Sequence, residues 1–239
     1  MPRRSRNLRE LVPERLRLRW RRRRRTPRAY RRRYRMRGRE WMLRLYDELT
    51  ERESRWMGVR SLKNPLDAWV YQEILFEVRP EVVVELGSAF GGSTLFLCHM
   101  LDLVGLDAQV VSVDVAHSEL AAEHPRIAKV SGNTRDPAVV ARVRELCEGK
   151  RVLVIHDADH AADVVIEDLR DYGPLVAPGS YLIVEDGVRD FLGGLDGPFA
   201  AVEQFLSESR DFEVDESRER YLFTYNPRGF LRRVSRPRD

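Results

Sequence analysis

From Pro80 onward, short apolar runs alternate with amphipathic stretches. The runs at 82–86, 109–113, 126–130, 151–155 and 181–184 are rich in Val, Ile and Leu and predict five strands. Between and after them, 95–103, 136–147, 161–169 and 198–207 repeat their apolar residues every three or four positions and predict helices. Two further strands are expected at 212–214 and 221–225, as an antiparallel pair. Upstream, Trp41, Leu43, Leu45, Tyr46 and Leu49 mark one amphipathic helix, and Trp69, Ile74, Leu75 and Val78 a second. The loop WMGVRSLKNPLD joins the two.

Strands that are apolar throughout are buried on both faces. Alternating with helices, they predict an α/β fold with a doubly wound, mostly parallel sheet and right-handed crossovers. Ligands of such sheets bind outside the carboxyl ends of the strands, where the strand order reverses. The expected division is a tail over 1–39, a helical cap over 40–80 and the sheet domain over 81–239.

Charge changes this picture at one end only. Nineteen of the 42 basic residues but two of the 38 acidic ones fall within 1–39, so the tail carries +17 and the remainder −13 behind an overall +4. Self-repulsion predicts a solvated, disordered tail. A contact with nucleic acid or an anionic surface through charge alone is the alternative. The tail lacks the apolar stretch of a secretory signal. No run approaches the ~20 apolar residues of a membrane span. Cys98 and Cys147 are too few for a disulfide framework, which fits the cytoplasm.

The chemistry-bearing residues gather at predicted strand ends. VVVELGSAFGGST reads strand, tight turn, helix; Gly87 permits the turn, and Gly91 and Gly92 permit close approach of a ligand to the main chain. Its spacing is neither the dinucleotide GxGxxG nor a phosphate loop. Asp114 ends the next strand, where an acid commonly takes the hydroxyls of a ribose. Glu85, Gly87, Gly91 and Asp114 together suit a nucleoside ligand without phosphates. Two later strands end in acids, RVLVIHDADH in Asp157 and Asp159, and YLIVED in Glu185 and Asp186. Clustered without a cation, Asp157, Glu185 and Asp186 would repel one another; a hard divalent ion such as Mg²⁺ resolves this with oxygen ligation. Asp159 is expected to cap the following helix. His160, three residues beyond Asp157, would look over the ion if a helix starts there. A zinc hydrolase built on His156, Asp157 and His160 is the competing reading, weakened by the lack of another His-rich segment. His117 and His124 read as surface or supporting residues.

The motifs WMGVRSLKNPLDAWVYQEIL, VVVELGSAFGGSTLF, VSVDVAH, the HP of EHPRIAKVSGNTRDP, DADH, GSYLIVED, GPFAAVEQFL and TYNPRGFLRR, in this order, resemble the cephalosporin hydroxylase family, which includes rhamnosyl and macrolide O-methyltransferases. The resemblance covers roughly residues 56–233. It implies a seven-stranded, Rossmann-like class I methyltransferase sheet whose last strand is antiparallel and inserted near the end. It implies S-adenosylmethionine and Mg²⁺ as cofactors. Glu85, Gly87, Ser88, Gly91, Gly92 and Ser93 are then expected at the methionine end of the donor, Asp114 at its ribose, and Asn133 and Asp136 near its adenine. Asp157, Glu185 and Asp186 are expected to hold the metal, with His160 as general base and Lys63 reaching in from the cap. The implied reaction is methylation of a hydroxyl on a sugar or natural product, such as an antibiotic-type metabolite. The stretch GVRDFLGGLDG would be a glycine-hinged lid, and a homo-oligomer is expected. Two other readings stay open: a hydroxylase or oxidoreductase of cephalosporin-type tailoring, and a nucleic-acid binder acting through the tail.

Overall fold

The computed structural model describes residues 31, 35–193 and 196–234. Most of the expected disordered tail, and Gly194 of the expected lid, lie outside the described residues.

Among the described residues, α1 (Gly38–Arg44) continues through a π-helical turn (Leu45–Thr50) into α2 (Glu51–Glu53). A small hairpin, β1 (Arg55–Trp56) and β2 (Val59–Arg60), follows, all but Arg55 inside the stretch expected to be loop. Helix α3 (Pro65–Val78) starts where Asn64 accepts a hydrogen bond from the Leu66 amide and Pro65 occupies the first turn. The sheet comprises β3 (Val82–Leu86), β4 (Gln109–Asp114), β5 (Ile127–Ser131), β6 (Val152–His156), β7 (Tyr181–Val184), β8 (Phe212–Val214) and β9 (Phe230–Arg233). Its connecting helices are α4 (Gly92–Val104), α5 (Pro137–Cys147), α6 (Ala162–Tyr172), α7 (Val188–Gly193) and α8 (Pro198–Glu208).

The strand order is β5-β4-β3-β6-β7-β9-β8. Strands β3 to β7 pair in parallel, and β9 runs antiparallel between β7 and β8. The mostly parallel, doubly wound sheet with an inserted antiparallel last strand is therefore present. Strand order reverses between β3 and β6. Period-two alternation divides the sheet's side chains between two cores. Val82, Val84 and Leu86 pack with α5, α6 and α8, while Val83 packs with α3 and α4. Cys98 and Cys147 are free and buried in different cores.

Three sequence expectations need correction. Residues 221–225 form no strand; the partner of β8 is β9. Leu222 takes a left-handed φ of 68° and is 87% exposed, and the Tyr225 amide donates to the Asp67 side chain (2.8 Å) instead of a ladder. Phe230 and Leu231 are fully buried and fill the interior position that β9 requires. Trp69, expected on the apolar face of its helix, is 60% exposed. Over 188–193 the expected lid loop is the helix α7, and its Val188 and Leu192 pack with Met42, Tyr46 and Tyr225 in a third apolar cluster that pins α1 down.

Candidate active site

The carboxyl ends of β3, β4, β6 and β7 open into a pocket of about 490 Å³ at the point of strand reversal. The hairpin loop covers it with Arg60, Leu62 and Lys63, and the π-helical turn contributes Tyr46.

One wall is the glycine loop after β3. Gly87 has φ 85°, and a Cβ there would sit 2.1 Å from the Asp157 carbonyl oxygen. A Cβ on Gly92 would sit 2.2 Å from the Arg60 carbonyl oxygen. The space that these glycines leave is thus taken by the protein's own backbone: β6 closes on Gly87 and the hairpin closes on Gly92. Asp114 binds this loop directly. Its Oδ2 accepts from the amides of Ser88 (3.0 Å) and Ala89 (2.9 Å). Ser88, Ser93 and Asn133 also line the pocket. Gly91 and Glu85 lie behind the wall. Gly91 caps α4 in a left-handed conformation, and Glu85 is fully buried, accepting from Thr94 Oγ1 at 2.5 Å. Asp136 caps α5 by accepting from the Ala138 amide (2.9 Å) and does not line the pocket.

The opposite wall is acidic. Backbone bonds from Asp157 N to Leu86 O (2.8 Å) and from Glu185 N to His156 O (2.9 Å) carry the strand pairing past the strand ends and bring both acid motifs to one rim. Asp186 has a left-handed φ of 63°, held by its amide's bond to Asn226 Oδ1 (3.2 Å), and Asn226 in turn donates to Tyr71 (2.9 Å). That turn separates Asp186 from its neighbour. Asp186 faces the pocket, where Tyr46 donates to its Oδ2, while Glu185 faces inward.

Lys63 lies between two acids, its Nζ 2.5 Å from Asp157 Oδ2 and 2.6 Å from Glu185 Oε1. Burial works against the Asp157 carboxylate, but Lys63 and His160 hold its pKa down to about 2. At Glu185 burial wins, and the carboxyl is pushed well up. One ammonium cannot neutralise both acids, and the more accessible Asp157 keeps its charge. His160 Nε2 stands 3.5 Å from Asp157 Oδ1 and 3.2 Å from Asp186 Oδ2, and Arg189 Nη1 stands 3.2 Å from the other ring nitrogen. Burial alone would lower the His160 pKa; the two carboxylates outweigh it and raise it to about 9.

Asp157, His160 and Asp186 each offer a donor atom within 4.8 Å of the others, a set suited to a divalent ion. Nε2 of His160 is buried and makes no well-aligned hydrogen bond with any described residue, so this donor set has an open valence directed at two carboxylates. The residues present therefore fit a metal. Glu185, expected beside them, is taken by Lys63. The zinc-hydrolase trio is not assembled, because His156 turns into the core, its Nε2 2.9 Å from Asp168 Oδ2. Asp159, expected to cap the following helix, instead accepts from the Ala161 amide (2.9 Å) in a turn just before it, and α6 starts at Ala162 without a side-chain cap. His117 bridges Ser112 and Ser131, and His124 pairs with Asp102 near the surface.

Sequence reasoning passed over Tyr46, Arg189 and Asn226. Arg189 had a usable signal, standing one helical turn after Asp186, and Asn226 lay inside the TYNPRGF motif. Tyr46 had none, because an aromatic on an apolar face reads as packing.

The sheet order and the pocket at its reversal define a methyltransferase-type α/β fold. A family model described as Rhamnosyl O-methyltransferase/CmcI matches residues 49–234, and the chain belongs to that family of O-methyltransferases. The Rhamnosyl O-methyltransferase of Mycobacterium leprae (strain TN) is 38% identical over 189 residues, spanning 74% of this chain and 81% of that protein. The one of Mycobacterium bovis (strain BCG / Pasteur 1173P2) is 32% identical over 198 residues, spanning 78% and 80%. Among solved structures, CmcI with Mg and SAM superposes with a TM-score of 0.62 at 26% identity, covering 76% of this chain and 77% of that one. An apo CmcI structure gives 0.62 at 27% identity, covering 77% of each. No helix among the described residues is long and apolar enough to cross a membrane.

Proposed function

We propose that the chain transfers the methyl group of S-adenosylmethionine to a hydroxyl of a sugar, with a rhamnosyl unit of a natural product as the first acceptor to test, and that it uses Mg²⁺. The acceptor class rests on the 38% identity to a rhamnosyl O-methyltransferase. The observation that carries the site assignment is the convergence of Asp157, His160 and Asp186 beside the glycine loop in one pocket.

Gly87, Ser88, Gly92, Ser93, Asp114 and Asn133 line the donor side; Glu85 and Gly91 build that wall from behind, and Asp136 supports it through α5. Asp157 and Asp186 would hold the metal, with Glu185 as reserve charge behind them. A divalent ion bound there supplies Lewis-acid polarisation of the acceptor hydroxyl. In its neutral form, which its raised pKa of about 9 makes available toward alkaline pH, His160 accepts the hydroxyl proton at Nε2. That requires the ring's own hydrogen on Nδ1, so Arg189 must turn from Nδ1 to Asp186, whose Oδ2 is 4.0 Å away. Asp157 and Asp186 stabilise the imidazolium that results. Arg60, Leu62 and Tyr46, from the cap over 40–80, shield the reacting groups from water. Holding donor and acceptor in line can supply up to ~7–11 kcal/mol of the barrier reduction.

The proposal extends to a cytoplasmic homo-oligomer. Its support is two buried free thiols and an apolar face on α3, where Trp69 and Phe76, seven residues apart, are 60% and 63% exposed. Incubation with S-adenosylmethionine and a rhamnoside, with Mg²⁺ or with EDTA, tests the reaction. Methylated sugar and S-adenosylhomocysteine are expected by mass spectrometry with Mg²⁺. Full turnover in EDTA refutes the metal, and no product from any sugar hydroxyl refutes the acceptor class.

A further inference from the structure

The backbone around Lys63 is fixed on both sides. Arg60 is pressed against Gly92, and Asn64 caps α3. The Lys63 side chain is 8% exposed, and its ammonium lies within 2.6 Å of both Asp157 and Glu185. Buried acids need a compensating charge, and at this rim Lys63 supplies it. On the other side, Asp186 meets Tyr46, His160 and Arg189. A divalent ion entering among Asp157, His160 and Asp186 therefore finds a positive charge already in contact with one of its ligands.

We propose that Lys63 is an internal counter-ion that competes with the divalent cation. It keeps the acids together in the metal-free chain. It also sets the ion's affinity, because the ion must displace its ammonium from Asp157 or sit beside it. This inference rests on the metal reading given above and names what the metal works against. A merely structural Lys63 makes the opposite prediction: removing it would loosen Asp157 and weaken metal binding.

Calorimetric titration of Mg²⁺ into the wild type, Lys63→Met and Lys63→Arg separates the two. Lys63→Met should melt lower than the wild type without metal, bind Mg²⁺ about tenfold or more tightly, and gain more melting temperature from the ion. Lys63→Arg keeps the charge and should stay within about threefold of the wild type. Should Lys63→Met fold only with the ion present, back-titration of the loaded protein with EDTA yields the same affinity. Wild-type binding combined with equal or weaker binding by Lys63→Met overturns this inference alone. Absence of binding by the wild type and Lys63→Met alike overturns the metal reading with it.

Discussion

The two walls of the pocket are built on different physics. The glycine wall is closed by main-chain contacts: β6 against Gly87, the hairpin against Gly92, and two loop amides on Asp114. The acid wall is held by charge, with Lys63 between Asp157 and Glu185, and with His160 and Arg189 around Asp186. The first is complete as it stands. The second contains a buried nitrogen without a well-aligned partner among the described residues and more acids than its lysine can neutralise. Recognition of an invariant donor can be left to a rigid frame, whereas an ion that comes and goes needs groups whose charges can be redistributed.

The sharpest separation of the walls is Asp157→Ala. Turnover should fall about a thousandfold or more while S-adenosylhomocysteine affinity, measured by calorimetry, stays within about threefold. Loss of both would mean that the walls act as one unit. Gly87→Ala reverses the pattern. A side chain at positive φ against the Asp157 carbonyl should cost about 3 kcal/mol in urea unfolding and weaken the donor.

Next in size is pH. The folded His160 pKa, about 9, lies above its ordinary 6.5. A raised pKa stabilises fully below the unfolded value and ceases to as pH climbs through the folded one. The metal-free chain should thus lose on the order of 2 kcal/mol between pH 6.5 and 9. His160→Asn should flatten that slope, and an unchanged slope would remove His160 from the charge balance. The smallest effect belongs to Asp136→Ala, worth about 1 kcal/mol as a lost helix cap with donor affinity unaltered. A tenfold loss of affinity would instead place Asp136 against the donor.

Much of this was legible beforehand because it is local. The runs 82–86 and 181–184 are apolar at every position but Glu85, which suffices for interior strands, and their terminal acids then fall at the rim by topology. The partners of those acids were harder to read. Lys63 meets carboxylates 94 and 122 residues away, and Tyr46 meets Asp186 across 140. No periodicity encodes such distances. The neighbours Glu185 and Asp186 read as a pair, yet a left-handed φ at Asp186 sends them to different partners. Strand β9 was missed because 221–225 offers three aromatics against one in 230–233, and only burial between β7 and β8 overrides that local preference.

The most direct test of the charge-held wall is a crystal soaked with Mn²⁺ and S-adenosylhomocysteine, examined by anomalous diffraction. A peak coordinated by Asp157 and Asp186, next to His160 and facing the glycine wall, is the result expected. A site without a peak, its carboxylates still on Lys63, Tyr46 and Arg189 at saturating Mn²⁺, would contradict it.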